Sequence, residues 1–203
     1  YYFIAIHLEP WNVARIADNY PNLENMVIDA NQYSIKLTIM FSAQWADYIL
    51  ENNKMGDITA WRNQGHEIAI HHHSVNHQSW DGYSAYTEEE AIAKRIGLGH
   101  IPPEKYLGTL EDFMIKIQFL NANANSGCAN EESDKMAMPN KVVYATCSGF
   151  QNFGTPGTEM NDLNPDKGKN KFISTAFVNG IQRKWLAHFQ LFKNPNGAQQ
   201  VFN

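Results

Sequence analysis

Four histidines lie within residues 71–77, in a segment, 65–77, that reads GHEIAIHHHSVNH. The neutral imidazole is the most common metal ligand among protein side chains. Imidazoles this close together, directly after an apolar run, are typical of a metal site at the end of a strand. We therefore expect this segment to bind a metal ion.

The sequence before the histidines predicts where their side chains point. Residues 66–70 are strand-like, and alternate side chains of a strand lie on the same face. His71 and His73 therefore share one face, and His72 points to the other. A turn of four residues brings His77 back towards His73, so these two imidazoles are the first candidate pair.

A cluster of histidines can also occur without any role in metal binding. Three consecutive histidines occur in expression tags, but these lie inside the chain and in register with a strand. The remaining alternative is a cluster of ordinary surface or core-edge histidines. For His66 and His72 we adopt it, and we expect both to be solvent-facing residues of the strand ends.

Composition limits the kind of protein this is. The chain has 203 residues, of which 43% are hydrophobic, enough for one domain with a substantial core. It has no apolar run near the ~20 residues that a membrane-spanning helix needs. A net charge of −5 argues against a nucleic-acid partner, because phosphate binding requires clustered Lys and Arg.

The chain has two cysteines, Cys128 and Cys147, on either side of a polar segment. One disulfide and two buried thiols both fit this pair. The chain starts at Tyr1 with no initiator Met, signal peptide or tag, so we expect it to derive from a longer or processed precursor. A mature secreted protein, extracellular or at the cell surface, would have these features.

Short apolar runs alternate with segments of helical period, the pattern of a parallel sheet with crossover helices. A segment rich in Gly, Pro, Asn and Asp, 149–170, is expected to form a long loop. Strands are predicted at 2–8, 35–41, 66–73, 141–146, 172–178 and 184–192. Helices are predicted at 12–31, broken at Pro21, at 46–64, ended by Gly65, from a capping box at 87–90, and along the apolar stripe 110–120.

The order of three motifs resembles the polysaccharide deacetylase-like (NodB-homology) domains of carbohydrate esterase family 4. Those domains have an acidic motif after the first strand, then Gly-His-Glu-Ile, then His-Ser/Thr-x-x-His. This chain has HLEP at 7–10, GHEI at 65–68 and HSVNH at 73–77, in that order and at comparable spacing. The resemblance extends through residue 85.

The resemblance implies an α/β fold, a distorted or incomplete (β/α) barrel of the NodB-homology type, with the site at the C-terminal ends of the strands. Residues 1–203 would form a single polysaccharide deacetylase-like catalytic domain, truncated at one or both ends.

The family holds a divalent metal, often zinc, with one Asp and two His, and uses it in acetyl hydrolysis. Carried over to this chain, the metal ligands are Glu9, His73 and His77. Counting from Gly65 instead selects His71, which we keep as a metal ligand, a neighbour of the ligands or a substrate contact.

The proton-transfer groups depart from the family pattern. Leu8 occupies the position of a second acid, the usual base. His7 lies two residues from Glu9 on the same strand face, and we expect it to act as the base or as an additional ligand. The family's general-acid histidine is echoed by the Leu-x-His motif that ends at His188, although an ordinary strand histidine fits equally. The Arg-x-Pro motif has no clean match, and only 146–149 lies in a comparable place.

Trp80, Asp81 and Tyr83 follow the histidines directly. Aromatic rings at a pocket rim stack on sugar faces, so we expect these residues to contact the substrate. Packing of Trp80 and Tyr83 beneath the loop is the alternative.

Together these features predict a zinc-type, metal-dependent hydrolase that removes N- or O-acetyl groups from a polysaccharide or oligosaccharide. The alternative is a noncatalytic carbohydrate-binding or structural surface domain that kept the barrel and lost the base. A metal-storage or metal-sensing protein is a third possibility.

Overall fold

The computed structural model describes residues 4–121, 124, 126–129, 134, 144–145, 173–178 and 180–186. The helices are α1 Val13–Gln32, α2 Ala43–Glu51, α3 Met55–Asn63, α4 Glu88–Gly97 and α5 Leu110–Leu120. The strands are β1 Ile4–Leu8, β2 Leu37–Phe41, β3 Glu67–His72, β4 Tyr83–Ser84, β5 Gly108–Thr109, β6 Ser126–Ala129, β7 Tyr144–Ala145, β8 Ile173–Val178 and β9 Ile181–Leu186.

Seven strands form one sheet in the order β1-β2-β3-β6-β7-β9-β8. Every neighbouring pair is parallel except β8 and β9. The sheet is curled into a half-barrel, and β4 and β5 form a separate two-stranded parallel sheet. The predicted α/β class with a mainly parallel, incomplete barrel-like sheet is thus confirmed.

The two faces of the sheet differ in character. One face carries large apolar side chains that are fully buried against the helices, each contributing about 1.5–3 kcal/mol through burial. These side chains are Ile39, Phe41, Ile68 and Ile70 from the strands, with Ile16, Trp45, Ile58 and Phe113 from the helices. The opposite, concave face has smaller residues, among them Ala5, Ala69 and Cys128 around Met40. The concave face therefore has room for polar side chains.

The predicted strands 2–8, 35–41 and 66–73 are confirmed as β1, β2 and β3, and each described end lies within two residues of its prediction. Two helix signals are also confirmed. Thr87 and Glu90 form a reciprocal capping box at the start of α4. Gly65 follows α3 with φ of +91°, a left-handed conformation that glycine adopts at low cost.

Two helix predictions are wrong. Helix α1 runs through Pro21 without a break. A proline removes one backbone donor, but Tyr20 and Leu23 on either side are buried and hold the helix against the core. The single helix expected at 46–64 is two helices, because the chain turns after Asn52 and Asn53 adopts a left-handed φ of +55°.

Strand β6 was not expected from the sequence. Its residues, SGCA, are small and lack the β-branched side chains that mark a strand. It forms because it pairs with β3 in the middle of the sheet, where all four of its residues are buried. Cys128 on this strand is disulfide-bonded. Cys147, the other cysteine of the chain, lies outside the described residues, as does the predicted loop 149–170.

The later strand predictions are confirmed in part. The run 141–146 contains β7 and the run 172–178 contains β8. The strand expected at 184–192 begins earlier, at Ile181, and residues beyond 186 lie outside the described residues. Within the described part of the chain, no helix has the length and apolar character needed to cross a membrane.

Candidate metal centre

The carboxyl ends of β1 and β3 bring one carboxylate and two imidazoles together. Glu9 directly follows β1, His71 is the penultimate residue of β3, and His73 directly follows β3. Glu9 Oε1 lies 3.6 Å from His71 Nε2, and Glu9 Oε2 lies 3.4 Å from His73 Nε2. One ligand atom from each of these three residues lies within 4.8 Å of the others.

These distances fit the ligand shell of a zinc ion. Zinc bonds of about 2.0–2.1 Å at a tetrahedral angle place neighbouring ligand atoms about 3.3–3.4 Å apart. The two measured separations, 3.4 and 3.6 Å, are close to that value. Two imidazoles and one carboxylate are also the ligand set of zinc hydrolases that keep a fourth position open. The residues present therefore fit a divalent metal of the zinc type.

His73 is held in the neutral form that binds metals. Burial is the main reason that its pKa falls, to about 3, and the neighbouring His71 and His77 lower it further. Its Nδ1 lies 2.8 Å from the carbonyl oxygen of Ser79, which makes Nδ1 the donor. The other ring nitrogen, Nε2, is then the one with a lone pair, and it is the atom that faces Glu9.

His77, expected to be a ligand, lies beside the group rather than in it. Its ring centroid is 3.8 Å from that of His73, and its Nδ1 accepts a hydrogen bond of 3.1 Å from the Ser79 backbone. Its own backbone N–H closes the turn by bonding to Ser74 O at 2.8 Å. Among the described residues, His71 takes the position in the ligand group that the local motif had assigned to His77.

His7 faces the same site from β1. Neighbouring strands lie about 4.8 Å apart, so side chains on β1 and β3 of a flat sheet would be about 10 Å apart. The ring centroids of His7 and His71 are only 4.6 Å apart, as expected on the concave face of a curled sheet. Leu8 points the other way and is buried in the helix-side core. Position 8 therefore supplies no proton-transfer group to the site in this chain.

His72 was expected to face solvent, and that expectation is wrong. Its side chain is fully buried on the helix side of the sheet, beside Phe113. Its Nδ1 lies 2.8 Å from Asp81 Oδ2 and its Nε2 lies 2.7 Å from Asp134 Oδ2. Burial alone lowers the pKa of His72, but the two carboxylates outweigh it and raise the pKa to about 10. His72 is therefore a buried imidazolium.

His66, also expected to face solvent, is buried as well. Its Nδ1 accepts a hydrogen bond of 3.1 Å from the backbone N–H of Leu37, and its Nε2 lies 3.1 Å from Asn31 Oδ1. Burial and the charge of Lys36 lower its pKa. His66 joins β2, β3 and helix α1, which is a structural role.

Two aspartates connect the buried imidazolium to the surrounding loops. Asp81 also accepts hydrogen bonds of 3.0 Å from the backbone N–H groups of His73 and Tyr83. Asp134 accepts one of 3.0 Å from the backbone of Ala85. Burial raises the pKa of Asp134, but the hydrogen bonds from His72 and other donors prevail and lower it. The backbone of the candidate ligand His73 is thus tied to the His72 network.

Arg95 fixes the loop that follows His73. Its guanidinium is fully buried and donates to the carbonyl oxygens of Val75 and His77 at 2.7 Å and of Gln78 at 3.2 Å. Glu104 neutralises the charge, accepting one hydrogen bond at 2.8 Å and a second, shorter one. A planar guanidinium can hold this many acceptors because its donors are arranged in a rigid fork.

The three residues after the histidines that were expected to contact substrate are interior residues. Trp80, Asp81 and Tyr83 are 6%, 1% and 2% exposed. Trp80 packs against Val75 and donates from Nε1 to the Tyr83 carbonyl at 2.7 Å. Burial of this kind supports the alternative in which they pack beneath the loop.

Several residues of the site could not be identified from the sequence. Asp134 lies 62 residues from His72 in a segment of many similar polar residues, and no spacing signal distinguishes it. Arg95 looked like an ordinary basic residue in the last turn of a helix. The predicted acid His188 and the segment 146–149 lie outside the described residues.

Comparison of the chain with protein-family models, with curated proteins and with solved structures gave no match. The resemblance to carbohydrate esterase family 4 therefore stays a prediction that rests on the motifs of the chain itself.

Proposed function

We propose that the protein is a metal-dependent hydrolase that removes N- or O-acetyl groups from a polysaccharide, with a barrel of the NodB-homology type. One observation carries the proposal. Glu9, His71 and His73 bring their ligand atoms within 4.8 Å of one another at the carboxyl edge of a parallel sheet. That edge is where barrel enzymes of this architecture have their active sites.

Glu9, His71 and His73 would hold the ion, with His77 packed against His73 as support. A bound zinc ion would supply Lewis-acid activation of water and of the acetyl carbonyl. The Glu9 side chain is 38% exposed, whereas the His71 and His73 side chains are 2% and 3% exposed. Substrate would therefore approach from the Glu9 side.

Among the described residues, His7 is the one best placed to accept a proton. Its ring lies 4.6 Å from that of His71 and on the same concave face. An imidazole has an ordinary pKa near neutrality, which suits a general base. His188 stays our prediction for the acid that protonates the leaving group.

The disulfide at Cys128 supports an extracellular or cell-surface location, because disulfides persist in oxidising compartments. It also suits a protein that acts on polysaccharides outside the cell.

Acetate release from N-acetylated and O-acetylated oligosaccharides tests the proposal. The purified chain is supplied with zinc, and a Glu9→Ala variant is compared with Glu111→Ala, an exposed glutamate on α5. We expect release by the parent and by Glu111→Ala, and a loss of at least about 100-fold for Glu9→Ala, beyond what loss of a supporting partner causes. Equal activity of the two variants would contradict the proposal.

A noncatalytic carbohydrate-binding or structural domain is the second candidate. One observation favours it: Leu8 stands where the family has its base, and its side chain is buried away from the site. This candidate predicts saccharide binding without acetate release in the same assay.

A further inference from the structure

A second group of side chains of the types that ligate metals lies on the concave face, beside the Glu9 group. One ligand atom each from His7, His71 and Cys128 lies within 4.8 Å of the other two. Cys128 is directly opposite His71 in the parallel pairing of β6 with β3. His7 reaches them across β2, where its strand partner is Met40. Three strands thus contribute to one cluster.

The floor beneath this cluster is apolar and buried. Met40, Ala69 and Cys128 pack together and are at most 1% exposed. Small residues such as Ala69 leave space above the sheet for the two imidazoles. Low-dielectric surroundings strengthen the electrostatic attraction between a bound cation and its ligands.

The chemistry of this group differs from that of the Glu9 group. A thiolate with two imidazoles is a softer ligand set than a carboxylate with two imidazoles, and it favours zinc, cobalt or copper over magnesium or calcium. His71 belongs to both groups. An ion bound at the Glu9 group and one bound at this second group would therefore share or compete for this residue.

The oxidation state of Cys128 decides whether the group of His7, His71 and Cys128 is available to a metal ion. Cys128 is disulfide-bonded, and a disulfide sulfur is not the thiolate that binds metals. A dithiol reductant transfers two electrons and two protons to the disulfide, giving two thiols, and is itself oxidised to a disulfide. The Cys128 thiol then loses its proton when the ion binds.

We propose that reduction of the Cys128 disulfide creates a second metal site, formed by His7, His71 and Cys128, for a divalent ion of the zinc type. The argument for this site rests on the geometry of the concave face and does not depend on the proposed hydrolase activity. In the oxidised chain the ion is confined to the Glu9 group. In the reduced chain it gains a sulfur ligand.

Cobalt(II) is the probe, because a cobalt–thiolate bond gives an intense ultraviolet charge-transfer band that imidazole and carboxylate ligands do not give. The full chain is titrated with cobalt before and after dithiol reduction and removal of the reductant without oxygen. A Cys147→Ser variant leaves Cys128 as a thiol with no reductant present. We expect the band in the reduced parent and in Cys147→Ser, and not in the oxidised parent.

Cys128→Ser is the matched control, since it leaves a single thiol at position 147. We expect no band from it, and we expect His7→Ala in the Cys147→Ser background to weaken cobalt binding at least about tenfold. A band of equal strength in Cys128→Ser would overturn the proposal. So would its absence from both thiol forms, or the loss of their circular-dichroism spectrum. If the oxidised parent binds cobalt without giving the band, the ion is bound by the Glu9 group, which tests that group separately.

Discussion

Three consecutive histidines occupy two opposite environments in this protein. His71 and His73 are on the concave side, where burial and mutual proximity keep His73 neutral. His72 is on the helix side, where two carboxylates keep it protonated. Identical side chains one residue apart thus differ in charge because a strand turns alternate residues to opposite faces. The neutral pair suits a metal, whereas the charged residue holds the surrounding chain together.

The largest expected effect comes from removing the buried charge. His72→Gln leaves Asp81 and Asp134 without their cation, so we expect the free energy of unfolding to fall by about 3–5 kcal/mol. Urea unfolding followed by circular dichroism measures it. Lys116→Gln is the control, because it breaks a partly exposed ion pair with Asp47 and should cost less than about 1 kcal/mol. Equal losses would mean that His72 is not a charged residue of the core.

The neutral side of the comparison is tested by metal affinity. We expect the parent to bind about one equivalent of zinc. His71→Ala should weaken binding by more than about 100-fold and His77→Ala by about 10–100-fold or less, because His77 supports His73 from outside the group. Calorimetric titration after removal of metal with a chelator measures both. The reverse order would assign the ligand pair to His73 and His77.

Arg95 supports the neutral side of the comparison, since it holds the loop that continues from His73. Arg95→Lys keeps the charge but loses the rigid fork of donors, leaving loop carbonyls poorly bonded. We expect a loss of about 2 kcal/mol in the free energy of unfolding and about tenfold weaker zinc binding. Arg62→Lys, at an exposed position of α3, is the matched control and should change neither quantity. A normal zinc affinity in Arg95→Lys would separate the loop from the site.

The dependence of stability on pH distinguishes the two histidines by sign. The pKa of His72 rises from 6.5 to about 10 on folding, so its stabilisation is complete below pH 6.5 and is lost as pH rises towards 10. The pKa of His73 falls from 6.5 to about 3. The unfolded chain therefore takes up a proton as pH falls below 6.5 while the folded chain does not, and stability is lost in that direction.

In metal-free buffer we expect the free energy of unfolding to fall by about 1.4 kcal/mol per pH unit on both the acid and the alkaline side of its maximum. We call these two sides the acid limb and the alkaline limb. Urea unfolding at pH values from about 4.5 to 9.5 keeps the acid limb above the titration range of most carboxylates. His72→Gln should flatten the alkaline limb and His73→Gln the acid limb. An unchanged alkaline slope in His72→Gln would show that its imidazole is neutral in the folded protein.

The parts of this arrangement that follow from local pattern were predictable. The strand period alone separates His71 and His73 from His72, and the structure has that separation. Likewise Thr87 and Gly65 mark a helix start and a helix end through their own backbone chemistry. Such signals act over a few residues, so one sequence is enough to read them.

Features that depend on residues far away in the sequence could not be predicted. His72 looked solvent-facing because the burial of an imidazole depends on carboxylates elsewhere in the chain, and one of these is 62 residues away. Strand β6 has no β-forming composition and exists because β3 offers it an unpaired edge in the interior. The helix-breaking tendency of Pro21 is outweighed by the core packing of residues on both sides of it.

The contact between His72 and Asp134 has a consequence for the order in which the protein is made. During synthesis His72 appears 62 residues before Asp134, whereas Asp81 follows it by only nine. Until Asp134 has been synthesised, Asp81 is the only one of these two carboxylates available to His72. The charge balance beneath the histidines therefore requires the closure of a loop that spans 62 residues, although Asp134 itself is not one of the candidate metal ligands.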